Sequence, residues 1–306
     1  MYVGYIGLAI TQSISLVGLF QYGMRTWTEL DSQMTSVERV VEYSKLSPEQ
    51  DTGTNTPPPD WPKTGKIAFR SVSMRYPGGS SPVLKRISFD IRSGEKIGVV
   101  GRTGAGKSSL ISVLFRLFPF HGHVIIDGID TKSIPLAILR SKISIIPQDP
   151  VLFLGTLRQN VDPFEEYSDS QLWNALEEVE LRGMVANWSS GLETIILEGG
   201  SNVSVGQRQL LCLVRAILKN VNIIILDEAT ANVDLKTDEV IQRVIRRRFQ
   251  DCTVLTIAHR LNTIMDSDKI LVMDAGTIAE FGPPQVLLKN PSGQFYNLVK
   301  RSGNKG

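Results

Sequence analysis

The first 24 positions of the chain carry no charged side chain, and Arg25 is the first charged residue. A helix of that length would be about 36 Å long, enough to cross a bilayer core of about 30 Å. Polar residues interrupt the apolar pattern at Thr11, Gln12, Ser13, Ser15 and Gln21. They are typical of a membrane helix whose polar side chains face other helices or a water-filled path. The alternative is a buried amphipathic helix of a soluble protein.

Helical spacing continues beyond Arg25 with charged residues and the apolar positions Val37, Val40 and Val41. The segment Ser47–Pro62 is rich in proline, which cannot continue a helix and suits a semi-rigid linker. A single spanning helix cannot line a pathway, so the chain would then be a fragment or one part of a larger assembly. The predicted organisation is the end of a transmembrane domain over 1–45, a linker over 46–64 and a globular domain over 65–306.

A glycine-rich loop follows the linker between a predicted strand and a predicted helix. Lys96–Val100 is a short apolar run, Leu110–Leu117 has helical spacing, and Gly101–Ser109 between them matches G-x-x-x-x-G-K-[ST]. Such a loop turns backbone N–H groups onto phosphate oxygens, and the helix N-terminus adds its positive end. We expect Lys107 to reach the β- and γ-phosphates of ATP and Ser108 to offer its hydroxyl to Mg²⁺. The predicted phosphate-binding residues are Gly101, Arg102, Thr103, Gly104, Ala105, Gly106, Lys107, Ser108 and Ser109.

Two acidic residues end a second apolar run. Ile223–Leu226 is wholly aliphatic, as in a strand of a parallel sheet that is buried on both faces. Asp227 and Glu228 follow at the strand's carboxyl end, where open α/β sheets bind ligands. Asp227 is placed to hold Mg²⁺, and Glu228 to deprotonate the water that attacks the γ-phosphate. Acidic residues also suit an ordinary helix N-terminus, but the phosphate loop in the same chain favours the catalytic interpretation.

Composition excludes other classes of function. The chain has 33 basic and 31 acidic residues and a formal net charge of +2, whereas nucleic-acid binders usually show a strong basic excess. We therefore expect no nucleic-acid partner. Cys212 and Cys252 cannot form a disulfide framework, and no Cys/His cluster has the spacing of metal ligands.

The segment Val203–Gln209 precedes an amphipathic helix with Leu210, Leu213 and Val214 on its apolar face. It resembles the L-S-G-G-Q signature of the ATP-binding cassette (ABC) family. Ser204 and Gly206 at a helix N-terminus would also bind phosphate on physical grounds. The resemblance implies that this surface caps ATP held by an opposite cassette, so that two cassettes enclose two nucleotides. The signature residues are Val203, Ser204, Val205, Gly206 and Gln207.

Other landmarks of the family occur in the expected order. Tyr76 resembles the aromatic residue that stacks on adenine, and Gln148 the glutamine that touches Mg²⁺ and water. Asp234 resembles the aspartate of a loop that crosses the dimer interface. His259 resembles the histidine that contacts the γ-phosphate, and with Lys107 and Glu228 it completes the expected catalytic set. The ordinary alternatives are a core tyrosine, a turn glutamine, a helix-capping aspartate and a satisfied histidine.

A narrower resemblance rests on Ser36–Val40, Gly101–Lys107 and Thr230–Asp234. These segments are similar to the multidrug-resistance-associated (C) subfamily, at the end of its last membrane helix and its second nucleotide-binding domain. The resemblance implies an α/β P-loop ATPase fold with a mixed sheet core and a helical subdomain over 150–212, preceded by an N-terminal membrane helix. Val203 and Val205 depart from the usual leucine and first glycine, and the bulk of Val205 would weaken the partner's site.

The family implies an ATP-hydrolysing cassette, with ATP and Mg²⁺, that drives export of amphipathic organic anions or xenobiotics. Its expected partners are a second nucleotide-binding domain and the transmembrane domains of the same transporter, on the same polypeptide. The full-length protein would be a multi-pass membrane protein with this domain in the cytosol. Alternatives are an ATP-gated channel or regulator of the same subfamily and a soluble ABC ATPase of DNA repair or translation. The uncharged start argues against the last.

Overall fold

The computed structural model describes residues 2–49, 51, 53–229, 233–258 and 261–303. The chain divides into two compact units, Met1–Gln50 and Asp51–Gly306. The first unit consists of one helix, α1 (Tyr2–Ser44), which by length and composition can cross a membrane. Two hydroxyl groups in its apolar part form hydrogen bonds within the helix, since Thr11 Oγ1 donates to Gly7 O and Ser13 Oγ to Ala9 O. Such bonds let polar side chains lie in apolar surroundings.

The second unit holds the strands, which we number in chain order. They are β1 (Ile67–Met74), β2 (Leu84–Ile91), β3 (Lys96–Gly101), β4 (Phe120–Ile126), β5 (Ile129–Asp130), β6 (Ser144–Ile146), β7 (Gly155–Thr156), β8 (Ile195–Ile196), β9 (Ile223–Asp227), β10 (Thr253–Ile257), β11 (Lys269–Asp274) and β12 (Thr277–Gly282). Its helices are α2 (Lys107–Leu114), α3 (Leu136–Ser141), α4 (Leu157–Val161), α5 (Asp169–Glu178), α6 (Arg182–Ala186), α7 (Val205–Lys219), α8 (Leu235–Arg248), α9 (Pro284–Leu287) and α10 (Gln294–Gly303).

The central sheet has the strand order β12-β11-β3-β10-β9-β6. All neighbours pair in parallel except β12, which is antiparallel to β11 at one edge. Residues Ile223–Leu226 of β9 are buried, as expected of a strand covered on both faces. The register aligns Ile257 of β10 with Asp227 of β9 and with Val99 of β3. The carboxyl ends of these strands therefore meet at one edge, where the acids and the phosphate loop lie.

A second, antiparallel sheet has the order β2-β1-β4-β5. Its inner face packs with β3 and α2 in one apolar core, in which the rings of Phe69 and Phe89 stack 4.5 Å apart. A separate apolar core lies between the helices α4, α5, α6 and α7 and one face of β9, and it includes Leu176, Val185 and Leu213. The α/β fold with a mixed sheet core and a helical region is confirmed. Helix α7 runs unbroken through residue 212, so the helical region and the sheet core share it.

The part of the predicted linker from Asp51 onward packs on the globular unit. Asp51 Oδ2 accepts a hydrogen bond from Leu136 N at 3.0 Å, and Asn55 N donates to Ser133 O at 2.8 Å. Trp61 is only 4% exposed, and its Nε1 donates to Ile126 O at 3.0 Å. No helix forms in the described residues of this proline-rich segment, as predicted. Burial of the large aromatic side chain of Trp61 is favourable and anchors the segment on the globular unit.

Candidate functional site

The phosphate loop connects the end of β3 to the first residue of α2. Gly106 caps the helix with φ 103°, a left-handed conformation that favours glycine. A Cβ at this position would also lie 2.9 Å from Leu84 Cδ2. Gly104, with φ 80°, has open space on the side where a Cβ would stand. The loop is thus closely held at its helix end and open at its tip, next to the positive end of α2.

Lys107 is the first residue of α2 and is 7% exposed. Its Nζ donates hydrogen bonds to Gly101 O at 2.9 Å and to Arg102 O at 3.2 Å, so the loop's own carbonyl groups hold the ammonium group. Burial lowers the pKa of Lys107, and the charges of Glu228 and Asp227 oppose this effect. The lysine therefore lies within electrostatic reach of both acids that follow β9.

Asp227 ends β9, and Glu228 follows in a left-handed conformation with φ 49°. Glu228 N donates to Ile257 O at 2.9 Å, which fixes this backbone against the end of β10. Burial raises the pKa of Asp227, the neighbouring Glu228 raises it further, and Lys107 lowers it in part. A non-glycine residue in this conformation costs on the order of 1 kcal/mol, as is common at functional sites.

The predicted Mg²⁺ ligands come from three neighbouring elements. Ser108 is exposed in the first turn of α2, Asp227 ends β9, and exposed Gln148 follows β6, whose Ile146 pairs with Leu226. They offer hydroxyl, carboxylate and amide oxygens, the hard ligands that Mg²⁺ prefers, and the raised pKa of Asp227 marks a place where a cation would be favourable. Within the described ranges, no cluster of three or more His, Cys, Asp or Glu residues could hold a metal. A bound Mg²⁺ would therefore need phosphate and water oxygens as well.

Tyr76 lies beside α2. Its hydroxyl and Ser109 Oγ are 3.0 Å apart, and its ring meets Phe118 edge to face with ring centroids 4.8 Å apart. The ring is half-buried, which leaves part of it accessible. Ser109, counted among the phosphate-binding residues by sequence, is 4% exposed and contacts Tyr76. The sequence carries no local signal for this pair, because 33 positions separate the two residues.

The signature segment forms the start of α7. Ser204 is the N-cap: its Oγ accepts a hydrogen bond from Gln207 N at 3.2 Å, and Gln207 Oε1 accepts one from Ser204 N at 2.9 Å. This reciprocal pair is a capping box. Val203 is buried and Val205 is 38% exposed at the first position of the helix. A Cβ on Gly206 would lie 3.0 Å from Thr237 Oγ1, so α7 begins close to the start of α8.

Asp234 caps α8. Its Oδ2 accepts from Thr237 N at 3.1 Å and its Oδ1 from Thr237 Oγ1 at 2.9 Å. Both hydrogen bonds lower the pKa of Asp234, and the bond from the backbone N–H of Thr237 has the larger effect. The helix-capping alternative is thus present, and the interface role stays a prediction. His259 and Thr230–Asn232 lie outside the described residues.

One buried polar residue near the site was missed by sequence reasoning. Gln209 is 1% exposed on α7, and its Nε2 donates to Pro147 O and Ala229 O. A signal was available, because Gln209 lies three positions after Gly206 and four before Leu213, on the face that helical spacing predicts to be buried.

A cavity of about 800 Å³ lies on the same unit, between α3, α4 and the end of α7. Lys142, Asp162 and Arg215 are among its lining residues, and so are Phe153 and Phe164. These two phenylalanine residues are 66% and 81% exposed, and Leu154 is 69% exposed. Exposed apolar patches of this kind are often found at interaction sites.

Comparison with known proteins places these features in a family. The model of the ABC transporter family matches residues 84–231. A probable multidrug resistance-associated protein of Drosophila melanogaster, lethal(2)03659, is 54% identical over 304 residues, which cover 97% of this chain and 22% of that protein. ATP-binding cassette sub-family C member 4 of Homo sapiens is 53% identical over 301 residues, covering 98% of this chain and 23% of its own. The chain thus spans about a fifth of the length of these relatives.

Among solved structures, a bacterial Atm1-family ABC exporter with ATP bound superposes with a TM-score of 0.78 at 29% identity. The superposition covers 88% of this chain and 47% of that one. The family match includes the phosphate loop, the signature segment and the acids after β9. The chain belongs to the ABC transporter family, and its relatives lie in the multidrug-resistance-associated C subfamily.

Proposed function

We propose that this chain is the ATP-binding and ATP-hydrolysing cassette of an ABC exporter. The observation that carries the proposal is the meeting of the phosphate loop with the acids after β9, where the ammonium group of Lys107 interacts electrostatically with Asp227 and Glu228. A buried lysine and two adjacent carboxylates at the ends of parallel strands suit a triphosphate and its counter-ion.

Each residue at this edge would have one task. The loop's backbone N–H groups and Lys107 would bind the phosphates, and Tyr76 would stack on the adenine. Ser108, Gln148 and Asp227 would hold Mg²⁺, which when bound neutralises charge on the phosphate oxygens. Glu228, its backbone held at Ile257, would accept the proton of the water that attacks the γ-phosphate. By resemblance, His259 would contact the γ-phosphate.

A second cassette would complete the site. The exposed Ser204 and Val205 at the start of α7 would face the partner's nucleotide, and Asp234 would lie at the interface. Val205 adds bulk where glycine would let phosphate approach closely, so the partner's nucleotide site would be the weaker of the two. The competent site would combine Lys107, Asp227 and Glu228 of this chain with a signature from the partner.

The membrane part of the proposal rests on α1 and on the cavity with its exposed phenylalanine residues. Helix α1 would be the last membrane helix of a multi-pass transporter, with the cassette in the cytosol. The cavity beside Phe153 and Phe164 would receive the transmembrane domains of the same polypeptide. ATP binding would close the pair of cassettes and hydrolysis would reopen it, which would drive export of amphipathic organic anions or xenobiotics.

Transport by inverted membrane vesicles that contain the protein tests this function. We expect ATP-dependent uptake of an anionic conjugate, abolished when Mg²⁺ is chelated and absent from vesicles that carry a Glu228→Gln variant. An ATP-gated ion current without uptake would contradict export and favour the channel alternative. Recovery of the protein in the soluble fraction after membranes are pelleted would contradict a membrane location.

A further inference from the structure

Gln209 occupies an unusual place for a polar side chain. It lies on α7 two positions after the signature segment Val203–Gln207, and it is only 1% exposed. Its immediate neighbours along the helix, Leu210 and Leu211, are buried apolar residues of the core beneath β9. Burial of an amide in such surroundings costs free energy unless the amide is fully hydrogen-bonded.

The amide nitrogen of Gln209 joins two distant loops. It donates to Pro147 O at 2.8 Å and to Ala229 O at 2.6 Å, across 62 and 20 positions of the chain. Pro147 directly precedes Gln148, and Ala229 directly follows Glu228. One NH₂ group, which has two hydrogens, thus holds the backbone next to both Gln148 and Glu228, the residues proposed to lie near the γ-phosphate.

The orientation of the amide follows from its partners. With nitrogen and oxygen exchanged, Oε1 would face two carbonyl oxygens and no hydrogen bond would form. In the observed orientation Oε1 is buried and has no hydrogen-bond partner among the residues that the structure describes. The hydrogen bonds of this side chain therefore go to the two loop carbonyl groups, which ties its position to the positions of both loops.

We propose that Gln209 is a positioning residue that holds Gln148 and Glu228 in register and links both to the signature segment through α7. The proposal rests on the ATP hydrolysis proposed above. In a pair of cassettes, the start of α7 would touch the partner's nucleotide while Gln209, further along the same helix, adjusts this chain's own site. A shift of α7 on ATP binding at one site would then move the water-positioning groups of the other.

The test uses the protein purified from membranes with its partner cassette. Gln209→Met removes the donor and keeps the length of the side chain. Leu213→Met is the matched control, since Leu213 is fully buried in the same core and makes no side-chain hydrogen bond. The measurements are kcat and KM for ATP, the Mg²⁺ concentration that gives half-maximal turnover, and the midpoint of thermal unfolding.

We expect Gln209→Met to lower kcat about tenfold and to raise the half-maximal Mg²⁺ concentration, while KM for ATP changes by less than about twofold. Its unfolding midpoint should match that of Leu213→Met, whose kcat stays near the wild-type value. Equal losses of kcat in the two variants, or a wild-type kcat in Gln209→Met, would overturn the proposal.

Two further variants complete the experiment. If Gln209→Met does not fold, Gln209→Asn carries the test, because its amide is one methylene too short to reach both carbonyl groups. The same loss of kcat supports the proposal, and a normal kcat overturns it. Glu228→Gln, measured in parallel, distinguishes a failure of the proposed ATP hydrolysis from a failure of the positioning role. Full turnover in Glu228→Gln would remove the proposed function, whereas its loss beside a normal Gln209 variant would remove only the positioning role.

Discussion

The start of α2 and the start of α7 are both helix N-termini with glycine and serine, yet their surroundings differ: among the described residues, a side-chain cap is present at α7 and absent at α2. Before α2, a Cβ on Gly104 would meet open space. At the first residue of α2, the buried ammonium group of Lys107 interacts with the negative charges of Glu228 and Asp227. At α7, Ser204 and Gln207 satisfy each other in a capping box. On the proposed function, the start of α2 would bind the phosphates of this chain's own nucleotide, and the start of α7 would contact the nucleotide of a partner cassette.

The largest expected effect is the loss of ATP hydrolysis at the site beside α2. Glu228→Gln should lower kcat for ATP by about a hundredfold to ten-thousandfold, because general-base catalysis contributes that much. The affinity for ATP should stay near its wild-type value, since the phosphate loop is unchanged. Steady-state ATP hydrolysis and equilibrium binding of a fluorescent ATP analogue measure both. Glu239→Gln, on an exposed face of α8, is the control, and unchanged turnover in Glu228→Gln would remove that residue from the base role.

A second prediction concerns binding. Lys107→Ala removes a hydrogen-bonding charge from the phosphate loop, and hydrogen bonds to charged groups contribute about 1.5–3 kcal/mol. The affinity for ATP should fall about tenfold to a hundredfold. Titration calorimetry with ATP gives the dissociation constant, and Lys289→Ala, exposed near α9, should bind like the wild type. Equal affinities in both variants would mean that ATP binds away from the loop.

Ser204→Ala tests whether the start of α7 contacts a partner cassette. Loss of the capping box should lower the free energy of unfolding by about 1 kcal/mol. Thr156→Ala is a matched control, because Gln159 N donates to Thr156 Oγ1 at 3.1 Å and Thr156 N donates to Gln159 Oε1 at 3.0 Å in the same kind of box at α4. Thermal unfolding should show similar losses for the two variants, whereas ATP-driven association with the partner cassette should weaken only in Ser204→Ala. Similar association in both would make Ser204 a cap and nothing more.

The smallest effect is a pH dependence at Asp234. Its pKa lies below the ordinary value of 3.8 in the folded state, so the stabilisation is fully present above that pH. It is lost as the pH falls through the lower, folded-state pKa. The difference in unfolding free energy between wild type and Asp234→Asn should therefore be largest near about pH 6 and shrink in acid. Chemical denaturation at a series of pH values measures it, and a difference independent of pH would contradict the charged cap.

The motifs predicted those parts of the site that depend on local sequence. A glycine-rich loop between Lys96–Val100 and a helix, and acids after Ile223–Leu226, follow from short-range geometry, and the structure has them at the ends of parallel strands. Contacts between distant segments escaped prediction. The Tyr76–Ser109 bond, the burial of Trp61 and the two bonds of Gln209 each join residues that no spacing rule connects.

The departures at Val203 and Val205 show the same limit. The resemblance to the signature identifies both as departures, and the structure shows that their packing differs, since Val203 is 7% exposed and Val205 is 38% exposed. The first therefore replaces one core side chain with another, and the second changes the surface that the partner would meet. The effect of the bulk of Val205 was predictable from the sequence, whereas the burial of Val203 was not.

The most direct test of the different roles of α2 and α7 is a structure of the Glu228→Gln protein with its partner cassette and Mg-ATP. We expect Lys107 and the residue at position 228 to lie against the γ-phosphate of one nucleotide, and Ser204 of the same chain to lie against the other nucleotide. Both termini, α2 and α7, on a single nucleotide of one chain would contradict the division of tasks between them.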